Sequence, residues 1–192
     1  MRSTRWTSTR KNFYGIPLPE LLVLCTGNAA RSVMAGFMME HLKVQHGADD
    51  LHIVTAGTHT IDGQPMGMRT RTALVRIPEL ADAPFTRHRS RQVYGPDVAR
   101  AELVVVMEAD HVRFIRRTFP DAAAYTATLR RLCEDLPPSP PALSERVAAL
   151  RLEQATLSDI DDVTDPAGYD ADVYAACVDE LWGLCQRLIT LL

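Results

Sequence analysis

With 192 residues, 46% of them apolar, and a formal charge of −3 from 21 basic against 24 acidic side chains, the chain can bury one ordinary core. Near-neutrality leaves no electrostatic footprint for nucleic acid or an anionic membrane, and no apolar run approaches the length needed to span a bilayer. Four scattered cysteines, Cys25, Cys133, Cys177 and Cys185, lack metal-ligand spacing and the density of a disulfide scaffold, so a reducing cytoplasm and no metal or cofactor are expected.

Residues 1–19 carry Arg2, Arg5, Arg10 and Lys11 and read as a flexible basic N-terminal tail; a secretory signal would need a hydrophobic middle. Residues 20–192 read as one domain. Leu21-Leu22-Val23-Leu24 is a short buried strand and Val33–Leu42 has helical character. Between them lies Cys25-Thr26-Gly27-Asn28-Ala29-Ala30-Arg31-Ser32.

A loop entering a helix faces unpaired N–H groups and the positive end of the helix dipole, which together attract an anion. Gly27 and Asn28 tolerate left-handed backbone angles, so the loop can curl until its N–H groups converge on a tetrahedral oxyanion. Thr26 to Ser32 are the expected phosphate-binding residues: Thr26, Gly27, Asn28, Ala29 and Ala30 through the chain, Arg31 through a planar fork that takes two oxygens at once. Cys25 at the floor of such a cradle is expected to ionise readily and act as a nucleophile, with Ser32 donating its hydroxyl to the sulfur.

At these residues the chain resembles the low-molecular-weight protein tyrosine phosphatase family, whose loop reads Cys-x-Gly-Asn-x-Cys-Arg-Ser-Pro. Cys25, Gly27, Asn28, Arg31 and Ser32 occupy matching places. Ala30 replaces a second cysteine, which removes a protective reversible disulfide but no group needed for hydrolysis, and Val33 replaces the proline. The resemblance implies an open doubly wound α/β sheet of four parallel strands with helices on both faces, and covers about residues 20–132 and 159–190.

Further along, Leu51–Gly57 reads as a second strand and Met68–Ile77 as a helix stopping before Pro78. Thr55-Ala56-Gly57 resembles the family segment that supports the phosphate loop, whereas the following loop, with His59 read as solvated, supplies none of the family's aromatics. The basic stretch Phe85–Gln92 resembles a family segment in which the histidine, here His88, belongs to a structural network behind the loop.

A short helix over Asp97–Ala101 is entered through Pro96, and Glu102–Met107 is the strongest strand. Asp110 is placed to cap a helix from His111 to Thr118, with His111 on its surface. Tyr125–Leu129 is a fourth strand followed by a short helix through Cys133. The Pro-rich stretch from Leu136 and an amphipathic helix over Ala142–Leu157 form an insertion at about 136–157, longer than the family requires.

The acidic loop Ser158–Pro166 ends in Asp165-Pro166, which resembles the family's Asp-Pro pair. That likeness implies that Asp165 protonates the leaving group and then serves as base for water, with Asp162 in reserve. Ala167-Gly168-Tyr169 departs from the aromatics that follow in tyrosine-specific members, and Asp172–Leu191 closes the chain as an apolar-striped helix.

The expected activity is therefore phosphatase action through a cysteinyl-phosphate intermediate, with Cys25, Arg31 and Asp165 catalytic. The substrate is a phosphorylated protein or a small phosphomonoester, phosphotyrosine by default. Phosphoarginine is the rival: family members acting on it carry threonine where tyrosine enzymes carry isoleucine, and Ala29 matches neither. A thiol-coupled arsenate reductase would need resolving cysteines near Cys25, and a non-catalytic phospho-binding module would have no use for thiol and acid together. The sequence leaves the oligomeric state open.

Overall fold

Four apolar runs whose branched side chains suit a pleated, doubly covered surface pair as parallel strands in the order β2-β1-β3-β4: β1 Glu20–Cys25, β2 His52–Gly57, β3 Leu103–Val106 and β4 Thr126–Thr128. The computed structural model describes residues 20–192, and the basic tail expected over 1–19 lies outside the described residues.

Successive strand residues point to opposite faces, and the core divides accordingly. Leu21, Val23, Cys25, Leu103 and Val105 face a layer of α1 (Arg31–Gln45), α2 (Met68–Leu74), α5 (Leu129–Asp135) and α7 (Ala171–Leu191). Leu22, Leu24, Ala56, Val104 and Val106 face α3 (Gly95–Arg100) and α4 (Ala109–Thr118). With β1 flanked by β2 on one side and β3 on the other, the chain reverses direction across the sheet at the carboxyl end of β1, where such sheets receive ligands. Cys25 is the last residue of β1.

Three expectations are corrected. The Ala142–Leu157 helix is only α6, Leu143–Ala149: the chain turns left-handed at Arg151 (φ 49°) and tightens into a single turn over Leu152–Gln154, which sends Leu152 into the core. Arg116 Nη2 holds that turn through the carbonyls of Leu152 (2.7 Å) and Ala155 (2.8 Å). Next, α4 starts before Asp110, and its cap comes from the acidic loop, where Asp162 Oδ1 accepts the Ala109 N–H at 2.7 Å. Asp110 instead pairs with Arg113 at 2.6 Å. Finally, His111 is buried rather than on the surface, 3% exposed.

Candidate active site

The loop after β1 is held open from outside. Its carbonyls face away from the centre, each onto a donor: Cys25 O onto Thr58 N (2.9 Å), Thr26 O onto His59 N (2.9 Å), Gly27 O onto Thr60 Oγ1 (2.7 Å), Asn28 O onto His88 Nε2 (2.9 Å) and Ala29 O onto Thr70 Oγ1 (2.9 Å). In a trans peptide the N–H opposes the C=O, so pinning the carbonyls outward turns the N–H groups inward. The loop then runs into α1, whose first turn has no acidic residue and no side-chain cap, leaving the helix N-terminus to whatever anion the loop holds.

Asn28, rather than Gly27, takes the left-handed turn (φ 47°). Its buried side chain braces the curve: Nδ2 donates to Ser32 Oγ (3.0 Å) and Thr55 Oγ1 (3.1 Å), and Oδ1 accepts from Arg91 N (3.1 Å). Gly57 allows the loop to lie against β2, since a Cβ there would sit 2.7 Å from the Thr26 carbonyl oxygen. His88 joins the support network as expected, and burial lowers its pKa, which keeps the ring neutral.

Cys25 Sγ lies 3.0 Å from Ser32 Oγ. Because that hydroxyl already accepts from Asn28, its own proton is free for the sulfur.

Arg31 is 1% exposed, and both of its terminal nitrogens are engaged: Nη1 donates to Glu108 Oε1 (2.5 Å) and the Val163 carbonyl (3.0 Å), and Nη2 donates to Asp165 Oδ2 (2.6 Å). Asp165 thus reaches Arg31 at the end of the loop, while its Oδ1 accepts from Ala167 N at 3.0 Å. Its side chain is 38% exposed. Asp162, the reserve candidate, is committed to the α4 cap, and burial raises its pKa.

Sequence reasoning missed Glu108 and misplaced His111. Glu108 stands at the carboxyl end of β3, directly before α4, and touches both Arg31 and His111. His111 Nε2 lies 3.0 Å from Thr26 Oγ1 and 3.5 Å from Glu108 Oε2. The signal available was the position itself, since the ends of β1 and β3 are neighbours in a sheet of this order.

Around the opening, exposed His59 meets Phe114 edge-on at 5.4 Å between ring centres, and Tyr169 is 59% exposed with its carbonyl held by Arg69 Nη1 at 2.8 Å. An open depression of about 650 Å³ beside the loop is lined by Gly27, Ala29, His59, Thr60, Gln64 and Gln92, among others. Among the described residues, no group of three or more His, Cys, Asp or Glu is arranged to hold a metal ion, and no helix is long and apolar enough to cross a membrane.

A parallel α/β sheet whose switch-point loop curls around a thiol with its carbonyls turned outward, next to an arginine and an aspartate, has the parts of a cysteine-arginine loop. The chain belongs to the low molecular weight phosphotyrosine protein phosphatase family, whose model matches residues 20–140. It is 27% identical over 169 residues to a protein-arginine-phosphatase of Geobacillus stearothermophilus, covering 88% of this chain and 92% of that one. Among solved structures, the YwlE arginine phosphatase from Geobacillus stearothermophilus superposes with a TM-score of 0.66 at 26% identity, over 89% of this chain and 90% of that one. A low molecular weight protein tyrosine phosphatase from T. tengcongensis, at 24% identity and a TM-score of 0.70 over 91% and 99% of the two chains, shares the fold.

Proposed function

We propose that the chain hydrolyses phosphorylated protein side chains through a cysteinyl-phosphate intermediate. The observation that carries this reading is the convergence of Cys25, the inward-turned loop, Arg31 and Asp165, the last from a segment outside the family match.

The incoming phosphoryl oxygens take the loop N–H groups and displace Asp165 from Arg31, whose fork suits two oxygens. Cys25 Sγ attacks phosphorus and the bond to the leaving group breaks, the departing atom taking a proton from Asp165. Ser32 steadies the sulfur as it becomes a leaving group in turn. Water then attacks the phosphocysteine, giving its proton to Asp165 and releasing phosphate and the Cys25 thiolate.

Phosphoarginine is favoured over phosphotyrosine by the chemistry at the opening. Glu108 and Asp165 already coordinate one guanidinium, that of Arg31, and a second would find the same carboxylates once Arg31 turns to the phosphate. A phenyl ring would want aromatic walls, and the rim offers Phe114, His59 and a Tyr169 that is 59% exposed. One curated relative, 27% identical over 88% of this chain, is named for phosphoarginine, and another, 27% identical over 59% of it, for tyrosine phosphatase activity.

The arsenate-reductase alternative is weakened by the other thiols: Cys133 and Cys177 are buried, and burial pushes them up to about 11 and about 12, so neither is poised to resolve a bond at Cys25. Reduced, buried cysteines suit a cytoplasmic setting. The test is turnover of a chromogenic aryl phosphate by wild type and Cys25→Ser, followed by matched phosphoarginine and phosphotyrosine peptides. Turnover lost in Cys25→Ser, with preference for phosphoarginine, is expected; equal turnover in the variant overturns the reading.

A further inference from the structure

His111 is buried against the site yet belongs to none of the roles above. Burial, and after it the Arg31 charge, push its pKa down to about 4, so the ring is neutral near neutral pH and carries a single N–H. Two oxygens face Nε2, Thr26 Oγ1 at 3.0 Å and Glu108 Oε2 at 3.5 Å. A carboxylate only accepts, and a ring lone pair turned toward it would be repelled, so Nε2 carries the proton. Nδ1 is left buried without a hydrogen-bond partner, a cost that packing alone does not call for.

That tautomer has a consequence for Thr26. Its hydroxyl oxygen accepts from Nε2 and keeps its own proton and second lone pair, and Thr26 is exposed at the lip of the loop, one residue after Cys25. The phosphoryl oxygens are accommodated by peptide N–H groups inside the ring. The hydroxyl therefore meets the part of a substrate that stays outside it.

We infer that His111, its tautomer set by Glu108, is a positioning residue that holds the Thr26 hydroxyl toward the substrate's side chain at the mouth of the phosphate loop. This rests on the proposed function for its substrate, while its test runs on binding and does not need turnover.

Affinity is measured by calorimetry in a Cys25→Ala background, which has no side-chain nucleophile to phosphorylate. The probes are inorganic phosphate and whichever of phosphoarginine and phenyl phosphate binds more tightly. Thr26→Val and His111→Leu are each expected to weaken the organic phosphate about tenfold, the worth of one hydrogen bond, while His111→Leu leaves inorganic phosphate within about twofold. The double variant is expected to lose no more than either single one, because His111 acts through Thr26. His111→Gln, whose amide nitrogen reaches the Nε2 position, restores most of the loss. Equal weakening of inorganic phosphate by His111→Leu, additive losses, failure of the glutamine rescue, no effect at all, or no binding of either organic probe each overturns the inference. Absence of Cys25-dependent turnover in the wild-type protein, with these binding differences intact, would sink the proposed function and spare the inference.

Discussion

The loop that carries Cys25 and the loop that carries Asp165 meet at Arg31 but are built in opposite ways. The first is over-determined: five successive carbonyls are pinned from the loop after β2, from α2 and from the His88 segment, and Asn28, Arg31 and Ser32 are all buried. The second runs without regular structure between a single turn at Asp159–Asp161 and α7, tied at Val163 N to Met107 O (2.8 Å), at Val163 O and Asp165 to Arg31, at Asp162 to α4 and at Tyr169 O to Arg69. A cradle that must hold N–H groups on a developing oxyanion profits from rigidity. An acid that leaves an arginine, gives a proton and takes one back, as proposed for Asp165, profits from a partly exposed side chain free to move.

Changes to the rigid side should cost most. Arg31→Lys keeps a charge but loses the fork and strips partners from Glu108 and Asp165 together, so kcat/KM for an aryl phosphate should fall about a thousandfold in protein that still folds by circular dichroism. Retention of a tenth of the activity would show that the fork does not hold the phosphoryl group.

Asp165→Asn should behave as a change on the acid's side. Turnover of substrates with poor leaving groups should drop about a hundredfold, whereas good leaving groups, which need no proton, should lose only a few-fold. A uniform loss across leaving groups would place the general acid elsewhere.

His111 links the two sides to stability. Its folded pKa of about 4 lies below the ordinary 6.5, so between these values the unfolded chain binds more protons and stability falls as the pH falls. The shift is worth on the order of 3 kcal/mol across that window, shaped by Arg31, Asp165, Asp110 and His59 nearby. Urea midpoints of His111→Gln should decline less steeply than wild type from about pH 6.5 to about pH 4; parallel curves would mean that the ring is not held neutral.

The smallest effect is steric. Gly57→Ala sets a methyl 2.7 Å from the Thr26 carbonyl, and because backbone rather than a flexible tip must yield, about 1–3 kcal/mol of stability should be lost together with some affinity for phosphate. An unchanged melting temperature and phosphate affinity would show that the loop is less fixed than its bonds indicate.

The same contrast governs what could be read before the structure. β1, the loop and the start of α1 are contiguous, so strand run, Cys25, Asn28, Arg31 and Ser32 announced themselves together. Asp165 was reachable only because proline follows it. Glu108 and His111 carry no local mark: their place depends on β3 lying beside β1 and on how α4 docks, a relation between segments some 80 residues apart. The cap of α4 escaped for the same reason, since Asp110 stands at the right spacing and Asp162 takes the role from another loop. The break in the Ala142–Leu157 pattern follows from where Leu152 must be buried, which helical spacing does not encode.

The measurement closest to the central claim is rapid acid quench of wild type turning over a phosphorus-labelled aryl phosphate, with the label then mapped on the chain. Label on Cys25, appearing before free phosphate and absent from Cys25→Ser, is the predicted result. Phosphate released at full rate with no label on Cys25 would contradict it.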